Sequence, residues 1–579
     1  MDTTIEGIIN ELVSTALKTL TLEGEVVLEH PNDLSHGDFS CNVAMLLAKQ
    51  MGKNSQELAE EIVGNIKPHK YIKKVEIAGP GFINFYLTDE FFIDTTNAIL
   101  DQGEEWGRNE TLAGKKIMVE YTDPNPFKEL HIGHLVPNAL GESLSRLCEW
   151  SGAEVRRVTF QGDVGMHVAK AIWGLQKNGF KAGDTILASD LGKAYATGAT
   201  AYEEEGVAEE IKRLNKTIYQ RDDDAINALY DSGKVASIVY FEEVYDILGS
   251  DFDHYFFESV TGPIGQEIVE AHIGSVFEES EGAVVFKGEK YDLHTRVFIN
   301  KEGLPTYEAK DIGLIVAKKE WWPFDTAITV TGTEQTSYFK VVTKAAELLM
   351  PEVAGKIKLV SNGMLKLTEG KMSSRTGDVI SAMSFIQDLR NDVIQKYLTT
   401  DAGDISKEAI EEMRKKRWGD DEKKIPERIA VAAIKYAILK NTAGKDIMFD
   451  PKKSLSLEGD TGPYLQYTYA RTQSILSKAK ERDIENNALA ARSSFETTEL
   501  ERLLYRFPQA AKRAAHEYEP HYVANYLSEL ASVYNSWYAA EQVLDGSDSQ
   551  GYKLALTKAV GTALKKGLWL LGIQALERM

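Results

Sequence analysis

Ile117-Met118-Val119-Glu120-Tyr121 is a short apolar strand, and the turn Thr122-Asp123-Pro124-Asn125-Pro126-Phe127-Lys128 leads from it toward His131-Ile132-Gly133-His134. A helical pattern carrying Leu135, Leu140, Leu144 and Leu147 comes next, then a second strand, Val155-Arg156-Arg157-Val158-Thr159-Phe160. Strand, helix and strand within about 40 residues make a βαβ unit, and such units build parallel sheets. Strand-like runs return at Ala327-Ile328-Thr329-Val330 and Ile357-Lys358-Leu359-Val360. Between them, acidic helical sequence fills roughly 200–275. The expected core is a doubly wound, Rossmann-type sheet split by a helical insertion.

Upstream, Ile5, Ile8, Ile9, Leu12, Val13, Ala16 and Leu20 follow helical spacing. Lys74-Val75-Glu76-Ile77-Ala78 alternates, Gly79-Pro80-Gly81 turns the chain, and Phe82-Ile83-Asn84-Phe85-Tyr86-Leu87 is rich in strand formers. A separate α+β domain over 1–110 fits this pattern. Downstream of about 426 strand signals nearly vanish, while Val523, Tyr526, Leu527, Leu530, Val533 and Tyr534 keep a strict helical period. An all-α helical bundle is expected over 426–579. The remaining boundaries are 111–200 with 276–380 for the sheet domain, 201–275 for the insertion, and 381–425 for a connector.

A chain of 579 residues has length for about three to five domains. No apolar run is long enough for a membrane span, and Met1-Asp2-Thr3-Thr4-Ile5-Glu6 lacks the basic start of a signal peptide. Two cysteines, Cys41 and Cys148, are too few for a disulfide scaffold or zinc knuckle, so a reducing cytoplasm is expected. A net charge of −22 by itself disfavours a nucleic-acid partner, but the charge is uneven. Residues 201–260 hold 15 acids and 5 bases, whereas 425–579 hold 20 bases and 18 acids. A polyanion can meet the last third while the acidic middle faces elsewhere.

His131-Ile132-Gly133-His134 sits where the first strand feeds the helix. Helix N-termini bind phosphates through free backbone N–H groups and the positive end of the dipole. Two histidines three apart share one face of the first turn and can donate hydrogen bonds to phosphate oxygens. Gly133, lacking a Cβ, is expected to let a base or ribose approach. A second element, Lys371-Met372-Ser373-Ser374-Arg375-Thr376-Gly377, follows Ser361-Asn362-Gly363-Met364-Leu365-Lys366. A loop of cations and hydroxyls suits a triphosphate. Glu120 at a strand end and Asp311 in Tyr307-Glu308-Ala309-Lys310-Asp311 are carboxylates placed to meet a planar cation.

Taken in this order around a split parallel sheet, the two motifs resemble the HIGH and KMSKS signatures of class I aminoacyl-tRNA synthetases. The segments Glu120–Lys128, Tyr307–Gly313 and Gly332-Thr333-Glu334-Gln335 resemble those of the arginyl-tRNA synthetases. That resemblance implies activation of arginine with ATP and its transfer to the 3′ end of tRNA(Arg). It implies that Glu120, Tyr307 and Asp311 hold the guanidinium, with Asp123 beside them. Asn125 and Gln335 would hold the α-amino and carboxylate groups. His131, Gly133, His134, Met364, Lys371, Ser373, Ser374 and Arg375 would serve ATP. In the N-terminal domain His36-Gly37-Asp38-Phe39-Ser40-Cys41-Asn42 and the Gly79–Asn84 segment resemble the family's module for the tRNA elbow, with Asn84 as a contact. Gly462-Pro463-Tyr464-Leu465-Gln466-Tyr467, Arg471, Tyr538 and Met579 match its anticodon-binding helices, where aromatics stack bases.

Two departures stand out. Leu576 occupies a place where the family usually has Pro, and Ser374 replaces the second lysine of the signature loop. A developing pyrophosphate needs a cation, and Lys128, three residues before His131, is the expected replacement, with Lys371 and Arg375 as competitors. Expected partners are tRNA(Arg), L-arginine and ATP with Mg²⁺, with no prosthetic group, no membrane and a monomeric state. The residues by themselves leave open a class I synthetase for another amino acid, a tRNA-binding relative without catalysis, or a helical scaffold.

Overall fold

The described residues of the computed structural model are 4–31, 33–368, 380–398, 407–421, 423–485 and 497–579. They fall into two units, one of Met1–Trp106, Ile475–Arg506 and Ser536–Thr562, the other of Gly107–Ser474, Phe507–Asn535 and Ala563–Met579. The first has the expected α+β form. Its opening helix, Ile5–Thr19, starts where the Thr4 hydroxyl accepts from the Gly7 N–H, and buries Ile5, Ile9, Val13, Ala16 and Leu17. Ile8, Leu12 and Leu20 flank that stripe and are only partly covered. Strands β1 (Leu28–Glu29), β2 (Phe39–Cys41), β3 (Ile72–Ala78) and β4 (Phe82–Leu87) pair antiparallel in the order β1-β2-β4-β3. Tyr505, from the C-terminal third, joins the core of Phe39, Phe85 and Phe92. Part of the span read as one bundle, 426–579, therefore belongs to this unit. Helical periodicity announces a buried face without saying what buries it.

The second unit carries the parallel sheet. Its strands are β5 (Lys116–Glu120), β6 (Glu154–Gln161), β7 (His254–Phe257), β11 (Thr326–Gly332) and β12 (Ile357–Asn362). The spatial order is β12-β11-β5-β6-β7, with every neighbouring pair parallel. The chain winds from β5 out through β6 to β7, then crosses back to lay β11 on the other flank of β5. A crevice opens where the order reverses, at the carboxyl ends of β5 and β11, and Glu120 and Gly332 stand there.

Three short pieces of sheet escaped the sequence reading. β7 lies inside the span read as a helical insertion, 201–275, of which Val207–Gln220 and Asp224–Leu248 are indeed helices. β8 (Glu278–Ser280), β9 (Ala283–Phe286) and β10 (Arg296–Ile299) form an antiparallel sheet of order β10-β9-β8. β13 (Leu365–Leu367) pairs parallel with β14 (Ile447–Phe449), in the stretch where strands were not expected. Runs of three or four residues are too short for a period to show.

Helix Leu135–Trp150 is buried on nearly every side, as a helix enclosed within a domain must be. It presses on the strand before it: a Cβ at Gly141 would lie 2.2 Å from Tyr121 Cγ. Its buried Glu142 accepts from the Tyr121 hydroxyl at 2.6 Å, Arg146 Nε at 2.6 Å and Arg157 Nε at 3.1 Å. The carbonyl end of helix Gln550–Leu570 is capped from the same place. Arg146 donates to Trp569 O, Ser143 to Leu570 O and Lys435 to Gly572 O, at 3.0, 2.8 and 2.8 Å.

Candidate active site

Between β5 and the histidines the chain takes a contorted path, with Thr122, Asp123 and Phe127 all at positive φ (77°, 45° and 67°). Non-glycine residues pay for that conformation, so surrounding contacts must hold it. Asn138 Nδ2 donates to Thr122 Oγ1 at 3.1 Å, Phe160 N to Asp123 Oδ1 at 2.7 Å, and Phe127 N to Ser237 Oγ at 2.8 Å. The strain delivers two things to the crevice: the Asp123–Asn125 segment and the histidine turn.

Ile132–His134 forms a short 3₁₀ turn, capped by His131, at the head of helix Leu135–Trp150. Gly133 N donates to His131 Nδ1 at 3.0 Å, and His131 N donates to His134 Nδ1 at 3.1 Å. Because both Nδ1 atoms accept, this network gives each ring a neutral tautomer with its proton on Nε2. Burial and the nearby Lys128 charge lower His131, and burial together with His131 drops His134 to about 3. At neutral pH the pair therefore consists of uncharged donors. The ring of His131 fills the space above Gly133, where a Cβ would come 2.7 Å from its Cε1. Glycine therefore also suits the packing of the histidine ring over this turn.

Lys128 is on the same side. Its Nζ sits 4.4 Å from the Tyr195 ring centre, and its charge reaches His131, His134 and His167. Lys371, Ser373, Ser374 and Arg375 lie outside the described residues, but the chain just beyond them is tied to the histidine turn. Ile132 N donates to Ile380 O at 3.1 Å, and Ala382 N to Leu130 O at 2.7 Å. Met364 is exposed, and its N–H donates to Asp446.

All six residues carried over for the amino acid line one cleft of about 470 Å³: Glu120, Asp123, Asn125, Tyr307, Asp311 and Gln335. They arrive from the end of β5, the strained turn, helix Tyr307–Trp321 and the turn after β11. Buried Glu120 pairs with buried Lys318 at 2.5 Å. Asp311 Oδ2 accepts from the Tyr338 hydroxyl at 2.6 Å. Burial, with Glu120 close by, raises Asp123 well above the usual carboxylate range and brings Asp311 to about 7. The cleft wall carries Glu120, Asp123, Glu258, Glu308, Asp311 and Glu334 against Arg296, with Lys318 paired to Glu120 and Lys310 to Glu258, which makes a receptor short of positive charge. Sequence reading missed Lys318, Tyr338 and the Glu258–Lys310 pair (2.7 Å). Lys318 had a signal, since it follows Asp311 by seven residues on one helix and so shares its face.

A family model described as "tRNA synthetases class I (R), catalytic domain" matches residues 95–451. The chain belongs to the arginyl-tRNA synthetases. Models described as "Arginyl tRNA synthetase N terminal domain" and "DALR anticodon binding domain" match residues 5–87 and 465–579. Arginine–tRNA ligases of Halothermothrix orenii and Clostridium perfringens are each 30% identical to it. The alignments cover 98% of both chains in the first case and 96% of both in the second. The fold is that of the Thermus thermophilus arginyl-tRNA synthetase (TM-score 0.78, 22% identity, 100% of both chains). It is also that of the Plasmodium falciparum one (TM-score 0.79, 19% identity, 99% of both). As an arginyl-tRNA synthetase the chain activates arginine with ATP and charges tRNA with it.

The residues expected at tRNA in this synthetase are less uniform. Asn535 links Tyr464 and Arg471, donating to the Tyr464 hydroxyl at 2.9 Å and accepting from Arg471 Nη1 at 2.5 Å. Arg471 also lies 4.8 Å from the Tyr467 ring centre. Tyr538 is exposed and Met579 half-buried. Asn84 departs from expectation: it is 2% exposed and accepts from Ser40 Oγ at 2.7 Å across the β2–β4 pairing. That burial leaves Asn84 little surface to offer an RNA.

Proposed function

We propose that the crevice between β5 and β11 is the adenylate-forming site, with Glu120, Asp123, Tyr307 and Asp311 around the guanidinium and Asn125 and Gln335 at the α-amino and carboxylate end. The observation that carries this is the convergence of all six on one cleft at the carboxyl end of β5, the strand that leads to the histidine turn. Five N–H donors on a rigid plane call for carboxylate acceptors, and an ammonium-poor acidic cleft supplies them. The arginine carboxylate attacks the α-phosphate of ATP, which enters as its Mg²⁺ complex, giving arginyl-adenylate and pyrophosphate. A ribose hydroxyl at the tRNA 3′ end then attacks the adenylate carbonyl, forming the arginyl ester and releasing AMP and the hydroxyl proton. His131 and His134 donate Nε2–H to phosphate oxygens as charge grows on them, without transferring a proton. Lys128 supplies the cation that Ser374 does not, alongside Lys371, Ser373 and Arg375 of the loop. Met364 borders the nucleotide.

The domain roles follow the sequence boundaries with one change: 1–110 for the tRNA elbow, 111–200 with 276–380 for catalysis, joined by β7 and Glu258 from the 201–275 insertion, 381–425 as connector and 426–579 for the anticodon. Tyr464, Arg471, Tyr538 and Met579 face the anticodon loop; Asn84 is dropped from the contacts. The enzyme works as a cytoplasmic monomer. No helix among the described residues is long and apolar enough to cross a membrane.

Arginine-dependent pyrophosphate exchange in the presence of tRNA tests both halves of the site. Lys128→Ala should lower the activation rate by about two orders of magnitude at unchanged arginine KM, because its loss falls on the transition state. Asp311→Ala should instead lose about three orders in kcat/KM, chiefly through arginine KM. A Lys128→Ala enzyme at the normal rate, or an Asp311→Ala enzyme with normal KM, removes the corresponding half.

A further inference from the structure

Each of the three cleft carboxylates has one oxygen already taken by the protein. Lys318 Nζ pairs with Glu120 Oε2 at 2.5 Å, Phe160 N donates to Asp123 Oδ1 at 2.7 Å, and the Tyr338 hydroxyl donates to Asp311 Oδ2 at 2.6 Å. Among the described residues no hydrogen bond or ion pair reaches Glu120 Oε1, Asp123 Oδ2 or Asp311 Oδ1. Three acids thus offer three single acceptors, held in fixed orientations, to a planar cation whose donors radiate in one plane.

Of the three holders only Tyr338 is a neutral side chain, and it is itself braced. It stands on helix Thr336–Leu349, three residues past Gln335, with the Arg296 guanidinium 5.3 Å from its ring centre. Arg296 in turn pairs with Glu308 at 3.3 Å. We propose that Tyr338 is a specificity-determining positioning residue: by engaging Asp311 Oδ2 it fixes the carboxylate with Oδ1 turned to the guanidinium and keeps it ionised for that cation. This rests on the reading of Asp311 as an arginine contact.

The charge balance explains why a hydroxyl matters there. Asp311 is faced by Glu120 from β5, by Asp123 from the strained turn, by Glu258 from helix Glu258–Ala271, and by Lys318 from its own helix. Burial and Glu120 favour its protonated form and bring it to about 7, while the Tyr338 hydrogen bond and Lys318 oppose them. Without the hydroxyl the carboxylate titrates higher, and a protonated Asp311 offers a guanidinium nothing.

The test is the pH dependence of arginine kcat/KM in tRNA charging from pH 6 to 8.5, for the unmutated protein, Tyr338→Phe and Asp311→Asn. The unmutated protein should show an acid limb near neutrality. Tyr338→Phe should move that limb upward by about one unit, which raises arginine KM about tenfold at pH 6.5 and less than about twofold at pH 8.5. Asp311→Asn should abolish the limb and raise KM at every pH. If Tyr338→Phe keeps the unmutated profile while Asp311→Asn is impaired, the inference is wrong and the acidic-cleft reading survives. A pH-independent loss in Tyr338→Phe likewise overturns it, as that is packing damage. If Asp311→Asn has normal KM, the cleft reading itself fails. A second measurement isolates Asp311 from Asp123: calorimetry of arginine binding to the tRNA-bound protein in two buffers should register about half a proton more release at pH 7 for the unmutated protein than for Asp311→Asn, and almost no difference at pH 8.5. Equal release at pH 7 contradicts the proposal.

Discussion

Glu120 and Tyr121 are neighbours in the chain, yet they serve two buried acid clusters of opposite charge balance. Tyr121 turns to Glu142, which with Glu149 faces three cations, Arg146, Arg157 and Lys435. Burial works against the Glu142 charge, but those three cations hold it below the usual range, and Lys435 itself is pushed to about 7, chiefly by burial. Both carboxylate oxygens are engaged. Glu120 turns to the cleft, where acids outnumber cations and Glu120, Asp123 and Asp311 keep an oxygen apiece unengaged among the described residues. A saturated cluster, rich in compensation, holds a fold together. An unsaturated one, short of compensation, waits for a ligand to complete it.

The sharpest break in that contrast is a pair of near-isosteric substitutions. Glu142→Gln leaves Arg146 without its carboxylate and Arg157 with Glu149 alone, and should cost about 3 kcal/mol of stability, with arginine KM unchanged well below its melting point. Asp311→Asn should do the reverse. The folded-state value of Asp311 is raised, from 3.8 to about 7, so the penalty it imposes on folding grows as pH rises through that window and is complete above it. The Asn variant should therefore melt higher than the unmutated protein at pH 8 and no higher at pH 4. Thermal melts at the two pH values check both; a Glu142→Gln protein as stable as its parent would erase the distinction.

A smaller effect is expected where the protein meets tRNA, since each contact there is one of many. Tyr464→Ala should weaken tRNA binding roughly 5- to 150-fold, the worth of one stacked base. Arg471→Ala should act alike, because both side chains are joined through Asn535. Filter binding with tRNA(Arg) measures this, and full affinity in both variants would return these residues to the bundle's internal packing.

Much of the fold was legible because β5, helix Leu135–Trp150 and β6 are long and strongly patterned. The short strands β7 and β14 and the sheet of β8, β9 and β10 were not, as their pairing is decided by neighbours distant in sequence. At the site, Glu120, Asp311 and the histidines stood out by residue type and by resemblance. Tyr338 did not, because an aromatic residue in an amphipathic helix has no sequence mark separating a core ring from a hydroxyl aimed at a carboxylate. The tautomers of His131 and His134 came from backbone N–H directions that only folding fixes. Asn84 misled for the opposite reason: its motif position was right, but alternation along β4 breaks, and Ile83, Asn84 and Phe85 are all buried.

Citrulline separates the two kinds of cluster in one measurement. It keeps the shape of arginine but replaces an N–H donor with a carbonyl oxygen, which three fixed carboxylate acceptors must repel. Charging of tRNA(Arg) by the unmutated enzyme, with citrulline and arginine compared by kcat/KM, should favour arginine by roughly 10⁴ or more. Discrimination of tenfold or less would contradict a cleft built from single carboxylate acceptors awaiting a cation.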